Sequence, residues 1–200
     1  MADSFISEFD QITCLILAGG RGSRMNGEDK GLIDWQDRPI IQHLLGRFSK
    51  TFSNIVINAN RNHDIYRSYG YPIAPDQING FAGPLAGIHA GLAVSRTPYI
   101  FVTPCDLPFM HAKVAAQLYH HLQNSHADLA VAELNERIEP LVMVFKAKTL
   151  IHSIADYLQS NQRRASEWVL QQDHVRVVMN DMENCFININ TLQDKEKYTG

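Results

Sequence analysis

Two hundred residues, 45% hydrophobic and 20% charged, suffice for one globular domain with a full core. A net charge of -3 argues against a general nucleic-acid or acidic-membrane binder, which needs a broad basic footprint. Cys14, Cys105 and Cys185 are an odd, scattered set that argues against a disulfide framework or structural zinc, and no apolar run approaches membrane-spanning length.

Residues 1–11 have little apolar periodicity and no signal-peptide pattern, so a disordered tail is expected ahead of a single domain over 12–200. The apolar run Ile12–Leu17 reads as a central strand covered on both faces. It empties into Leu17-Ala18-Gly19-Gly20-Arg21-Gly22-Ser23-Arg24-Met25-Asn26-Gly27-Glu28-Asp29-Lys30-Gly31. Glycines let successive backbone N–H groups turn inward around an anion, and the cations neutralise its charge. No Gly-Lys-Ser/Thr closes the loop and its glycine spacing is not that of a dinucleotide-binding turn, so it is a third kind of phosphate loop. After it, Asp37-Arg38-Pro39 marks a helix entry, with Ile40, Ile41, Leu44, Leu45 and Phe48 at helical spacing.

Residues 54–58 read as a second strand, followed by the polar loop Asn58-Ala59-Asn60-Arg61-Asn62. A third strand is expected at 71–74, leading through Pro75-Asp76 into the glycine-bearing loop Asn79-Gly80-Phe81-Ala82-Gly83. Pro84 opens a helix with Leu85, Ile88 and Leu92 on one side. Gly87 and Gly91 lie inside it, each costing about 1 kcal/mol relative to alanine unless something approaches closely. Residues 99–103 form another buried-looking strand, stopped by Pro104 and followed by Cys105-Asp106-Leu107-Pro108. A helix carrying Val114, Leu118 and Leu122 comes next. Strands are expected at 129–132, 141–145 and 175–178, a charged turn at Asn135-Glu136-Arg137, and helices at 147–159 and 164–171. Residues 185–191 close the ordered part, with Thr191 capping a short final helix. Alternating strands and helices imply a mostly parallel α/β sheet with one reversed strand near 141–145.

Three features share the carboxyl edge of such a sheet: the cationic glycine loop, Asn58 and Asp106. Together they describe a nucleoside triphosphate and its metal. Arg24 and Lys30 would neutralise the phosphates, and Asp106 is the single carboxylate that a largely hydrated Mg²⁺ needs. Attack on the α-phosphate then rests on placement and electrostatics, without a nucleophilic side chain.

These motifs, joined by Gly83-Pro84-Leu85-Ala86-Gly87 and Phe186-Ile187-Asn188-Ile189-Asn190-Thr191, resemble the molybdenum cofactor guanylyltransferase family in order from about Ile12 to Thr191. The resemblance implies a Rossmann-like nucleotidyltransferase fold with helices on both faces of the sheet. It implies transfer of GMP from GTP to the terminal phosphate of molybdopterin, with Mg²⁺ and release of pyrophosphate. By the same resemblance Leu17, Ala18 and Gly19 lie against the guanine nucleotide and Lys30 on its phosphates. Asn58 and Asp76 complete the nucleoside pocket, and Asp106 is the magnesium ligand. Arg24, Gly27, Gly83, Gly87, an arginine of the pair Arg163-Arg164 (here taken as Arg164), Asn188 and Asn190 match positions that line the molybdopterin side or bridge the two substrates. Asn26 replaces a usual glycine, and Ile138-Glu139-Pro140-Leu141 stands where histidine-proline is common, so no pterin contact is expected there. Transient contacts with cofactor-biosynthesis proteins and acceptor molybdoenzymes, and a cytoplasmic location, complete the expectation.

Other readings of the same residues stay open. A cytidylyl- or sugar/polyol-phosphate nucleotidyltransferase shares the loops, and a non-catalytic adaptor that delivers cofactor shares the binding features. His120 and His121 read as solvated or structural, Cys105 as a small buried residue, and Asn188 and Asn190 are also suited to turns and caps.

Overall fold

The computed structural model describes residues 8–19, 29–77, 83–189, 194, 197 and 198. In chain order its elements are β1 (Ile12–Leu17), a 3-10 turn (Lys30–Leu32), β2 (Asp34–Trp35), β3 (Arg38–Pro39), α1 (Ile40–Phe48), β4 (Asn54–Asn58), α2 (His63–Arg67) and α3 (Pro84–Val94). There follow β5 (Tyr99–Pro104), α4 (Ala112–Gln123), β6 (Leu129–Leu134), β7 (Arg137–Lys146), α5 (Ala147–Gln159), α6 (Ala165–Gln171), β8 (His174–Val178) and a second 3-10 segment (Asn180–Phe186).

Six strands form one sheet in the order β4-β1-β5-β7-β6-β8. β4, β1 and β5 are parallel, β7 runs against both β5 and β6, and β8 is parallel to β6. The reversal has a local cause. Asn135 and Glu136, at φ 49° and 65°, make a two-residue turn in the left-handed backbone conformation, whose twist matches the right-handed twist of the flanking strands and suits a tight hairpin between β6 and β7.

Alternating side chains on each central strand feed two cores. Ile12, Cys14 and Ile16 of β1 and Phe101 of β5 face α1 and α4, through Leu44, Phe48, Val114 and Leu118. Leu15, Leu17, Ile100 and Val102 face the other way, onto Leu85 and Ile88 of α3, Ile154 of α5 and Trp168 of α6. Helices thus cover both faces of a mostly parallel sheet, as the alternation implied. Burial of a strand on both faces accounts for the near-continuous apolar reading of β1, interrupted by Thr13.

Two expectations change. Residues 71–74 contribute one isolated parallel bridge, Ile57 to Ile73, in place of a strand, since Pro72 has no N–H to extend a ladder. Within the segment expected as a tail, Phe9 is buried edge-to-face against Phe52. Residues 1–7 of that tail, and the helix-capping role expected of Thr191, lie outside the described residues.

Candidate active site

Strand register brings the site together. Leu17 is paired with Asn58 on one side and Pro104 on the other, so β1, β4 and β5 end level with one another. Ala18 N–H donates to the Asn58 carbonyl at 2.8 Å and Cys105 N–H to the Leu17 carbonyl at 3.0 Å. The three chains therefore leave the sheet side by side, at the edge where open α/β sheets hold ligands.

Lys30 and Asp106 meet there. Lys30 Nζ donates to Asp106 Oδ2 at 3.1 Å, with side chains 26% and 16% exposed. The lysine is set by the residue before it. Asp29 caps the 3-10 turn, accepting from Gly31 N–H at 3.3 Å, from the Tyr66 hydroxyl at 2.6 Å and from Asn62 Nδ2 at 3.1 Å. Tyr66 is fully buried, and burial above all pushes its hydroxyl far above the ordinary phenol range, so it remains a donor to the carboxylate. Burial, followed by the Asp106 and Asp29 carboxylates, likewise raises the Cys105 thiol well above its usual value. A protonated thiol is a poor nucleophile, in keeping with a packing role for Cys105.

Asp76 lies under a second group of bonds. Asn58 Nδ2 donates to Asp76 Oδ1 at 2.8 Å and to the Ala74 carbonyl at 2.8 Å. Asn60 Nδ2 donates to Asp76 Oδ2 at 2.8 Å and to the Gly19 carbonyl at 3.2 Å, while Asp76 N–H returns a bond to Asn60 Oδ1 at 2.8 Å. Packing leaves Asn58 little freedom, because α3 presents Gly87 to it and a Cβ there would overlap the Asn58 amide. Gly91, one turn on, makes the same allowance for Leu15 of β1, whose methyl carbons would lie 2.5 Å from an added Cβ. The close approach that excuses two glycines within a helix is therefore present at both.

On the far side, the backbone at Gly83 abuts Arg163, whose carbonyl would lie 3.1 Å from a Cβ at position 83. Arg163 spends its guanidinium on the Leu158 and Gln162 carbonyls and on Asn161 Oδ1. Arg164 is 80% exposed and bonds Glu167 at 2.9 Å. Ile189 N–H donates to the Asp106 carbonyl at 2.9 Å, which brings the 187–189 segment, including Asn188, beside the end of β5. Arg24, Gly27 and Asn190 lie outside the described residues.

The described donor set suits a hard, hydrated cation. Among the described residues no three His, Cys, Asp or Glu side chains converge as a metal cage, and His120 and His121 are exposed on α4. The Asp106 carboxylate beside Lys30 fits Mg²⁺, which keeps several waters, takes one or two protein carboxylates and shares its shell with substrate phosphates. Sequence reasoning passed over Asp29, Asn60, Asn62 and Tyr66 as site residues. The alternation of asparagines in Asn58-Ala59-Asn60-Arg61-Asn62 was the available signal for two of them.

The chain matches the model of the MobA-like NTP transferase domain over residues 14–177. It is 35% identical over 187 residues to the molybdenum cofactor guanylyltransferase of Shewanella sediminis, covering 94% of this chain and 95% of that protein. The protein of that name from Shewanella putrefaciens matches to the same extent. Among solved structures, molybdopterin-guanine dinucleotide biosynthesis protein A of Archaeoglobus fulgidus has a TM-score of 0.79 at 21% identity, with 92% and 95% of the two chains covered. A 4-diphosphocytidyl-2C-methyl-D-erythritol synthase from Anaerococcus prevotii has a TM-score of 0.69 at 15% identity, with 94% and 96% covered.

Proposed function

The chain belongs to the molybdenum cofactor guanylyltransferase family, within the MobA-like NTP transferases, and we propose that it joins GMP, taken from GTP, to the terminal phosphate of molybdopterin. It is a nucleotidyltransferase with a role in molybdopterin-guanine dinucleotide synthesis. In the proposed reaction a terminal phosphate oxygen of molybdopterin attacks the α-phosphorus of GTP. That bond forms the guanine dinucleotide, and the bond from the α-phosphorus to its bridging oxygen breaks to release pyrophosphate.

One observation carries the choice of nucleotide: the Asp76 carboxylate and the Lys30–Asp106 pair flank the same sheet edge. Each Asp76 oxygen accepts one amide hydrogen from Asn58 or Asn60, which leaves a lone pair on each for guanine N1–H and the exocyclic amine. Cytosine offers no such pair of adjacent donors to a carboxylate. The backbone of Leu17, Ala18 and Gly19 would close over the nucleotide, with Asn58 beneath it. Lys30 and Arg24 would lie along the phosphates. Asp106 would hold Mg²⁺, which supplies charge neutralisation on the phosphates. Gly27, Gly83, Gly87, Arg164, Asn188 and Asn190 would form the molybdopterin side, all within one nucleotidyltransferase domain over 12–200.

The chain's own contribution is placement and charge, so the test removes charge. GMP transfer to molybdopterin is measured with Lys30→Ala and Asp106→Ala at saturating Mg²⁺. Each should lower kcat/KM by about 100-fold or more, the usual loss when one stabilising group is deleted from a charged transition state. Wild-type turnover in Asp106→Ala would remove the metal assignment, and in Lys30→Ala the phosphate clamp.

A further inference from the structure

Resting on the reading of Asp76 as the base-recognising carboxylate, we infer that Asn60 is a positioning residue that sets nucleotide selectivity by fixing the orientation of Asp76. Asn60 makes three bonds at once: two donated, to Asp76 Oδ2 and to the Gly19 carbonyl, and one accepted from Asp76 N–H. Both amide hydrogens are used and the oxygen is used, so rotating the amide by half a turn would set oxygen against oxygen at Asp76 and at Gly19. The side chain therefore has one orientation. The ring it closes with Asp76 runs through both that residue's carboxylate and its backbone, so the carboxylate can neither twist nor swing without breaking a bond.

Asn58 alone does not achieve this. It holds Oδ1 from the opposite side and has its second hydrogen on the Ala74 carbonyl, which leaves rotation of the carboxylate about that single contact open. Two amides on two oxygens define the carboxylate plane, and a bidentate contact to two parallel N–H donors depends on that plane. The Gly19 bond ties the same amide to the loop that leaves β1, so base pocket and phosphate loop share one side chain. The phosphate clamp has a separate anchor, since Asp29, next to Lys30, is held by Asn62 and Tyr66. Losing Asn60 should thus disturb base recognition while leaving the clamp intact.

That separation makes the test. Binding of GTP, ITP, which lacks the exocyclic amine, and inorganic tripolyphosphate is measured by calorimetry with Mg²⁺ for wild type, Asn60→Ala, Asn60→Asp and Asp76→Ala. Asn60→Asp is nearly isosteric and keeps the acceptor for Asp76 N–H, while it removes both donated bonds, to Asp76 Oδ2 and to the Gly19 carbonyl, and sets a second carboxylate against Asp76. The expected result is a GTP-over-ITP preference reduced by about tenfold in both Asn60 variants, as for a hydrogen bond to a charged group, with tripolyphosphate affinity unchanged. A wild-type preference in both Asn60 variants, with the preference lost in Asp76→Ala, would overturn the role of Asn60 and leave the base reading standing. A preference retained in Asp76→Ala would overturn the base reading and the inference with it. Parallel weakening of GTP, ITP and tripolyphosphate in the Asn60 variants would reduce Asn60 to a structural support.

Discussion

Glu139 shows what one misplaced charge does. It lies half-buried on β7 opposite Ala132, where the register of the β6–β7 ladder shifts. Burial raises its carboxyl above the ordinary value of 4.5, so the folded chain holds that proton more tightly than the unfolded chain. Stability must then fall as pH rises through the interval above 4.5, because folding costs the glutamate its favourable ionised state. Glu139→Gln should raise the melting temperature at neutral pH and leave it unchanged below pH 4.5. A variant equally stabilised at both pH values would separate the effect from ionisation. Residue-level legibility was uneven for a physical reason. Lys30 and Asp106 stand out in sequence because a glycine-rich loop and a strand end announce them, and Lys30 has the ion pair with Asp106 that such placement invites. Asp29 and Tyr66 do not stand out, because the bond between them crosses 37 residues of chain, and the asparagine alternation that marks Asn60 does not reveal its partners 16 and 41 residues away.

Elements were read best where one face is buried over several turns. α5 spans Ala147–Gln159, as its periodicity implies, with Leu150, Ile154 and Leu158 buried at helical spacing. α2, five residues after Asn62 in a left-handed conformation, is too short to show a period, and the sequence assigns no element there. α3 joins packing to function, and its two glycines should respond differently. Gly91→Ala drives a Cβ into Leu15, which is fully buried, and should lower stability by about 1–2 kcal/mol after the gain in helix propensity, read as a lower urea midpoint with nucleotide affinity kept. Gly87→Ala displaces Asn58 from Asp76 and should weaken GTP binding by about tenfold or more. Equal effects of the two substitutions on GTP affinity would contradict the assignment of Asn58 to the nucleoside pocket.

The molecule as a whole is an edge built by register. β4, β1 and β5 end level, so three loops distant in sequence converge at one edge. That architecture is shared with the Archaeoglobus fulgidus and Anaerococcus prevotii proteins at TM-scores of 0.79 and 0.69, so the sheet alone does not choose the base. In the proposed function the choice falls to side chains on that edge, Asp76 foremost. The most direct measurement is pyrophosphate release from GTP, CTP, ATP and UTP with Mg²⁺, with and without molybdopterin, and with the product identified by mass. Release from GTP that requires the pterin and yields the guanine dinucleotide is the predicted result. Release from CTP in preference to GTP, or from none of the four, would contradict it.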